Sequence, residues 1–376
     1  MRFQRQPWPI FHPADHPGNS RRSSGRDKIN GQAFGMNPHA RKERGNMKGR
    51  SIVVMALVAG LVLAGLPGVS HAKRTLDLGD PIGGPPGVAP LRVAMEYFAA
   101  DVPKRTNGEI VINYHPQTIV TSETKAIEMC KVGALAFAGT GGGLGTIFPN
   151  TQVLALPYLL RDYAHYYGVV RGPIGKQMEA EIEKKHGLKI IIWLEFGFRQ
   201  FANTKRPLNS IEDFKGLKLR VMPSPPLADM VNALGASAVP ISWAEAIPAV
   251  QQGVVDGLDL PVANLISMKI YEICKYAAIS NHYFGPQAFV ANLNVWKSLT
   301  KQQQDAILKV GLEAADINWK MMEKMDLDGK NQLEKHGMQV TTPNLAPFKE
   351  VAKTKVYPKY YATFGQEIIQ KIIDFK

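Results

Sequence analysis

An α/β fold with mostly parallel strands is predicted by three features of residues 73–376. Strand-like and helix-like segments alternate, helices open on Pro or on Ser/Thr boxes and close on Gly, and no fixed-period repeat or low-complexity tract interrupts them. About 300 residues are enough to bury a sizeable core.

The elements follow in order. "TLDLG" at 75–79 reads as a first strand, and the Gly/Pro loop "DPIGGPPGVAP" excludes regular structure after it. Leu91, Met95, Phe98 and Val102 recur at helical spacing until Asn107-Gly108 stops them. "EIVINY" is a strand; Ser122 and Glu123 open a second helix that Gly133 closes; "ALAFA" is a strand running into "GTGGGLG". A single helix is expected over 162–185, then the apolar strand "LKIIIWLEF" at 188–196 and the short strand "FKGLKLRV" at 214–221. Ser224-Pro225 starts a helix ended by Gly235, and "SWAE" at 242–245 reads as a capping box for a helix ending at Gly253. A second box, "TKQQ" at 300–303, precedes a run of roughly thirty residues with Ile307, Val310, Ala314, Ile317, Met321 and Met325 on one stripe, long for a globular helix.

The chain up to residue 72 is read separately. From Met47, Lys48 and Arg50 precede an apolar run from Ile52 to Leu66, and Ser70-His71-Ala72 supplies a small-x-small cleavage site, the pattern of a secretory signal peptide (47–72). The run is shorter than the ~20 residues a membrane span needs. Leu66 stands where a lipoprotein signal would carry cysteine, so the exported chain is expected to begin after Ala72 without a lipid anchor, in the periplasm. Residues 1–46, polar and aperiodic, are expected to be a disordered leader from a start codon assigned too far upstream.

Removing this segment changes the charge argument. Residues 1–72 hold eleven Lys and Arg against Asp15, Asp27 and Glu43, a net +8 of the chain's +13, which leaves +5 for residues 73–376. No dense basic run remains there, and nucleic acid is set aside as a partner. Cys130 and Cys274 both lie in helix-like apolar contexts and are read as two buried free thiols.

Motifs for chemistry are sparse. The glycine-rich loop at 139–145 fits neither G-x-G-x-x-G nor G-x-x-x-x-G-K-[ST], so it is read as a turn or as backbone approaching a ligand, with Thr140 a candidate contact. G-x-S-x-G, H-E-x-x-H and paired C-x-x-C do not occur, so no cofactor, no metal and no enzyme activity is expected. Glu195 and His165 are the residues an enzyme reading would use, and nothing assigns them to one site. Two arginines are more informative. Arg220 alternates with Leu219 and Val221, where it either faces water or offers a planar fork to a carboxylate in a cleft. Arg199 directly follows the apolar strand, where parallel α/β sheets meet ligands. Together they propose one anion site.

Residues 213–257, "DFKGLKLRVMPSPPLADMVNALGASAVPISWAEAIPAVQQGVVDG", resemble the core motif of the TRAP-transporter extracytoplasmic solute receptors, the DctP-type family. "KRTNGEIVINYHPQ" at 104–117, "PNTQVLALPYLLRDYAHYY" at 149–167 and "FRQFANTKRPLNSIEDFKG" at 198–216 support the resemblance in the same order, across nearly all of residues 73–376. It implies a two-lobed periplasmic-binding-protein-like fold of type II, with mixed sheets flanked by helices and a long C-terminal bracing helix. Lobe I is expected from 73–196 plus about 285–325 and lobe II from 197–284 plus about 326–376. The implied function is capture of a small organic acid by a monomeric receptor that closes on it and delivers it to an integral-membrane TRAP permease. A sensor or enzyme on the same fold is the alternative. By the resemblance Arg220 grips the carboxylate, Arg199 borders the ligand and Trp243 walls the pocket. The family commonly continues V-D-G-x-E-N-P, whereas this chain reads "VVDGLDLP", with Asp259 for Glu and Leu260 for Asn. An apolar residue there favours a monocarboxylate with an aliphatic or aromatic body over a highly hydroxylated acid such as sialic acid. Hinge crossings are expected near Glu195 and near His282 to Gln287.

Overall fold

The computed structural model describes residues 73–376; the leader and the signal peptide lie outside the described residues. A nine-stranded mixed sheet organises them. β1 (Arg74–Asp80) lies parallel to β2 (Ile110–Pro116) and β3 (Phe137–Gly139). The helices between them are α1 (Pro90–Arg105) and α2 (Glu123–Lys131), and the Ser122 hydroxyl caps α2 by accepting from the Lys125 N–H.

One long helix was expected at 162–185, and two are found: α3 (Tyr163–Arg171) and α4 (Pro173–His186). Pro173 has no N–H to continue the ladder and forces the residue before it out of the helical region, so Gly172 is extended. Gly175 permits the tight junction, since a Cβ there would sit 1.8 Å from the Val170 carbonyl oxygen.

β4 (Leu188–Asn203) runs seven residues beyond the predicted end at 196. β5 (Lys218–Val221), α5 (Pro225–Ala233), β6 (Ser237–Pro240), α6 (Trp243–Gln251), β7 (Gly257–Pro261) and α7 (Val262–Ser267) follow, with β5 parallel to both β6 and β7. The capping box at "SWAE" does not form in its expected shape, because the Ser242 hydroxyl donates to the Glu245 carboxylate (2.6 Å) and not across the backbone.

β8 (Tyr276–Asn292) pairs antiparallel with β4 over most of its length. At about 3.3 Å per residue each of these strands spans about 50 Å, so the two halves of the molecule share them in one continuous sheet. The pairing breaks in the middle, between Glu195 opposite Pro286 and Phe198 opposite Phe284, where Gly197 takes φ +74°. On one side of this break β4 and β8 join β3, β1 and β2; on the other they join β7, β5, β6 and β9 (Gln339–Thr341).

α8 (Lys301–Leu327) opens on the predicted box, with Thr300 and Gln303 exchanging side-chain to backbone bonds of 3.2 and 3.0 Å. It packs on α1 and β4 and reaches α7 beyond the break, so it lies along both halves. Its buried stripe holds Ile307, Val310 and Ala314 as expected, then turns to Ala315, Asn318 and Met322, leaving Ile317, Met321 and Met325 half-buried. Asn318 draws the helix round, since its amide donates to the Glu195 carboxylate (2.6 Å) and carbonyl (3.0 Å). α9 (Gly329–Lys335) packs on α7, but residues 326–376 are not confined to that half. After α10 (Gln366–Asp374) the Phe375 ring lies over Gly168 and Gly172, and Arg161 donates to the Ile373 and Phe375 carbonyls at 2.6 Å each. Cys130 and Cys274 are buried free thiols, and burial pushes both up to about 12.

Candidate functional site

Between the two halves lies a cavity of about 270 Å³. One wall comes from the glycine-rich loop and the start of α2, the other from the carboxyl ends of β5 and β7 and the start of α6. Arg199, Arg220, Trp243 and Leu260 line it; Asp259 and Thr140 do not.

Lys218 and Arg220 point to the same face of β5, as period-two geometry requires. Lys218, at the strand's start, is exposed, whereas Arg220, near its end, is only 2% exposed, with Ile241 and Trp243 beside it. Its Nε and Nη2 both donate to the Ile241 carbonyl (3.0 and 2.8 Å), which fixes the guanidinium plane along one edge. The indole of Trp243 lies 6.0 Å from Arg220 Cζ. Among the described residues no carboxylate lies within 4 Å of Arg220. Burial, with the Arg199 charge, lowers its pKa to about 10, so it remains a cation at neutral pH. A desolvated cation with no carboxylate in contact is a strong anion site.

Arg199 stands differently from the sequence expectation. It is not past the end of its strand but inside β4, opposite Pro261 of β7 and Tyr283 of β8. Its Nε donates to Asp259 Oδ2 (2.5 Å) and its Nη2 to Oδ1 (3.1 Å) and to the Asp259 carbonyl. His282 Nε2 lies 3.4 Å from the same carboxylate, with its ring stacked on Phe201 at 3.8 Å. Burial opposes the ionisation of Asp259, but the Arg199 charge and the hydrogen bonds from His282 and Arg199 hold it well below the usual carboxylate range. The pair is internally neutral, so Arg220 alone carries uncompensated positive charge in the wall. Asp259, expected to touch ligand, faces Arg199 because successive side chains of β7 alternate, which sends Leu260 to the cavity and Asp259 away from it.

Thr140 is also corrected. It is fully buried, its hydroxyl accepts from the Ala288 N–H (3.0 Å), and it pins the loop to β8 and not to a ligand. The loop itself approaches the cavity through Gly142 and Gly143. A Cβ on Gly142 would sit 2.7 Å from Met222 Cε, and Thr146 Oγ1 donates to the Pro223 carbonyl (3.1 Å), so the two halves touch at the mouth.

Sequence reasoning missed Glu123, Met222, Phe196 and Asn264, all of which line the cavity. In the sequence Glu123 marks only the start of α2, and no local pattern shows which way a helix start faces. Glu195 and His165 do not form a common site. Glu195 is fully buried, bonded to Tyr167 and Asn318, and burial raises its pKa to about 8. His165 bonds to the Arg161 N–H and the Ile372 carbonyl, and burial lowers its pKa.

Known proteins match this arrangement over almost the whole described chain. Residues 88–363 match the family model DctP, described as bacterial extracellular solute-binding protein, family 7. A solute-binding protein of Verminephrobacter eiseniae is 30% identical over 283 residues, 74% of this chain and 84% of that one. The crystal structure of a TRAP periplasmic solute-binding protein from Bordetella bronchiseptica, with density assigned as pantoate, superposes with a TM-score of 0.75 at 27% identity, covering 81% of this chain and 100% of that one. Another from Polaromonas, bound to D-erythronate, gives 0.75 at 28% identity over 81% and 99% of the two chains. These neighbours are receptors and not enzymes, and no helix among the described residues is long and apolar enough to cross a membrane. The chain belongs to the bacterial extracellular solute-binding proteins of family 7, the DctP-type solute receptors of TRAP transporters.

Proposed function

We propose that this receptor binds a small monocarboxylate with an apolar body, grips the carboxylate with Arg220, and releases it to an integral-membrane TRAP permease. The observation that carries the reading is Arg220 itself, buried, oriented by one carbonyl and lacking a counter-ion at a cavity wall. A carboxylate accepting from its remaining donors would restore charge balance through charge-assisted bonds. Leu260, Trp243, Phe196, Met222 and Ile147 around it suit an aliphatic or aromatic body. The small acids in the Bordetella and Polaromonas receptors support an acid of similar size here.

Closure about the break in β4 and β8 would expel water and strengthen the ion pair. In this reading the two halves of the sheet are the lobes, the break is their hinge, α8 braces both, and the exported form is a periplasmic monomer cut after Ala72.

Thermal unfolding of refolded protein against aliphatic, aromatic and hydroxylated acids, with sugars and amino acids as controls, tests it. An acid at a hundred times its Kd adds about 2.7 kcal/mol and moves the midpoint by several degrees. The shift is expected from apolar-bodied acids and is lost in Arg220→Met. Tighter binding of highly hydroxylated acids would overturn the apolar preference, and a shift untouched by Arg220→Met would overturn the clamp.

A further inference from the structure

Besides the cation, the cavity wall carries a carboxylate that has no side-chain partner among the described residues. Glu123 lies at the first position of α2, half-buried and lining the cavity on the side opposite β5. A glutamate in a first helical turn ordinarily serves the helix dipole from the solvent side. Here its stem is held between glycines. A Cβ on Gly141 would sit 2.8 Å from Glu123 Cγ, and one on Gly143 would sit 3.4 Å from Glu123 Cβ. The loop therefore packs the stem, and a side chain in place of Gly141 would push it away.

No Lys, Arg or His lies within 4 Å of the Glu123 carboxylate among the described residues. Burial works against its charge, its own backbone N–H and the more distant Arg220 work for it, and although Ser122, Thr124 and Thr146 also line the wall, no side chain among the described residues donates to it. A ligand that fills the cavity displaces the water on that carboxylate. An acid with only a hydrocarbon body then leaves it with no donor beyond its own backbone N–H, which costs affinity, while an acid with a well-placed donor satisfies its remaining lone pairs.

We propose that Glu123 is a specificity-determining residue: the receptor selects an acid that carries, away from its carboxylate, one hydrogen-bond donor, a hydroxyl or an ammonium group, which Glu123 accepts from the lobe opposite Arg220. This rests on the carboxylate reading of Arg220 and narrows it, since the body between the two polar ends stays apolar.

Calorimetric titration of straight-chain acids of increasing length, each beside its ω-hydroxy and ω-amino derivative, tests the inference. At the length that spans the cavity, one derivative is expected to bind at least tenfold tighter than its parent, because a site built to accept from a donor rejects the analogue that lacks it. Glu123→Leu should abolish or invert that preference. Glu123→Gln separates the two donors: the amide oxygen still accepts from a hydroxyl, so a hydroxy preference survives, whereas an ammonium preference falls with the charge. Parents that bind as tightly as both derivatives at every length, or a preference that survives Glu123→Leu, overturn the role of Glu123 while acids still bind through Arg220. Absence of binding by every acid, or binding indifferent to Arg220→Met, overturns the carboxylate reading and this inference with it.

Discussion

Glu195 shows how one buried acid sets a pH dependence. It is fully buried at the break in β4, and although Tyr167 and Asn318 donate to it, desolvation dominates and raises its pKa from 4.5 to about 8. The folded state then holds a proton that the unfolded state releases near pH 4.5, so the stability this group contributes is complete below that pH and is lost as pH rises to about 8. Asp326, raised by burial to about 6, acts in the same direction in a lower window, and Glu195 contributes between pH 6 and 8. Stability measured by urea unfolding should fall across that window by up to about 1.4 kcal/mol per pH unit, and Glu195→Gln, which cannot ionise, should flatten the fall. Parallel pH profiles for the two proteins would contradict this assignment.

Among the elements, α8 is one whose packing on the sheet depends on a single small residue. Gly311 lets it approach β4, because a Cβ there would lie 2.8 Å from Ile192 Cγ1 and 3.3 Å from the Ile191 carbonyl oxygen. Gly311→Val should therefore destabilise by ~1–3 kcal/mol through overpacking, despite removing a glycine from a helix interior. Leu312→Val in the same turn is a control for helix propensity, since Leu312 is 51% exposed, and it should change stability by no more than about 0.5 kcal/mol. Equal effects of the two substitutions in denaturant titrations would show that propensity and not contact with the sheet decides. The break between α3 and α4 rests on similarly local chemistry, Gly172 and Pro173. The rotation of the α8 stripe toward Asn318 does not, because it answers a carboxylate on another element.

At the level of the molecule, the closure proposed above would bring together the mouth of the cleft. Gly142 meets Met222 and Thr146 donates to the Pro223 carbonyl across the two halves, while among the described residues β4 and β8 are the strands that run through both. Gly142→Leu should hold the lips apart without touching either core. Its unfolding midpoint in the absence of ligand should match the native protein, its affinity for the acid should drop tenfold or more, and small-angle scattering at saturating ligand should return a larger radius of gyration. An unchanged affinity would mean that closure does not pass through this contact.

The sequence alone determined the alternation of strands and helices, the Thr300 box, the two thiols in apolar settings and the arginine of β5, because each depends on residues within a turn or two of one another. The family motifs also named Arg220, Arg199, Trp243 and Leu260, which the fold brings to one cavity. Only the tertiary structure decided that Asp259 neutralises Arg199, that Thr140 ties a loop to β8, and that Glu123 faces Arg220. Those outcomes depend on partners sixty or more residues away, and strand alternation, burial and counter-charge act between such partners only after the chain has folded.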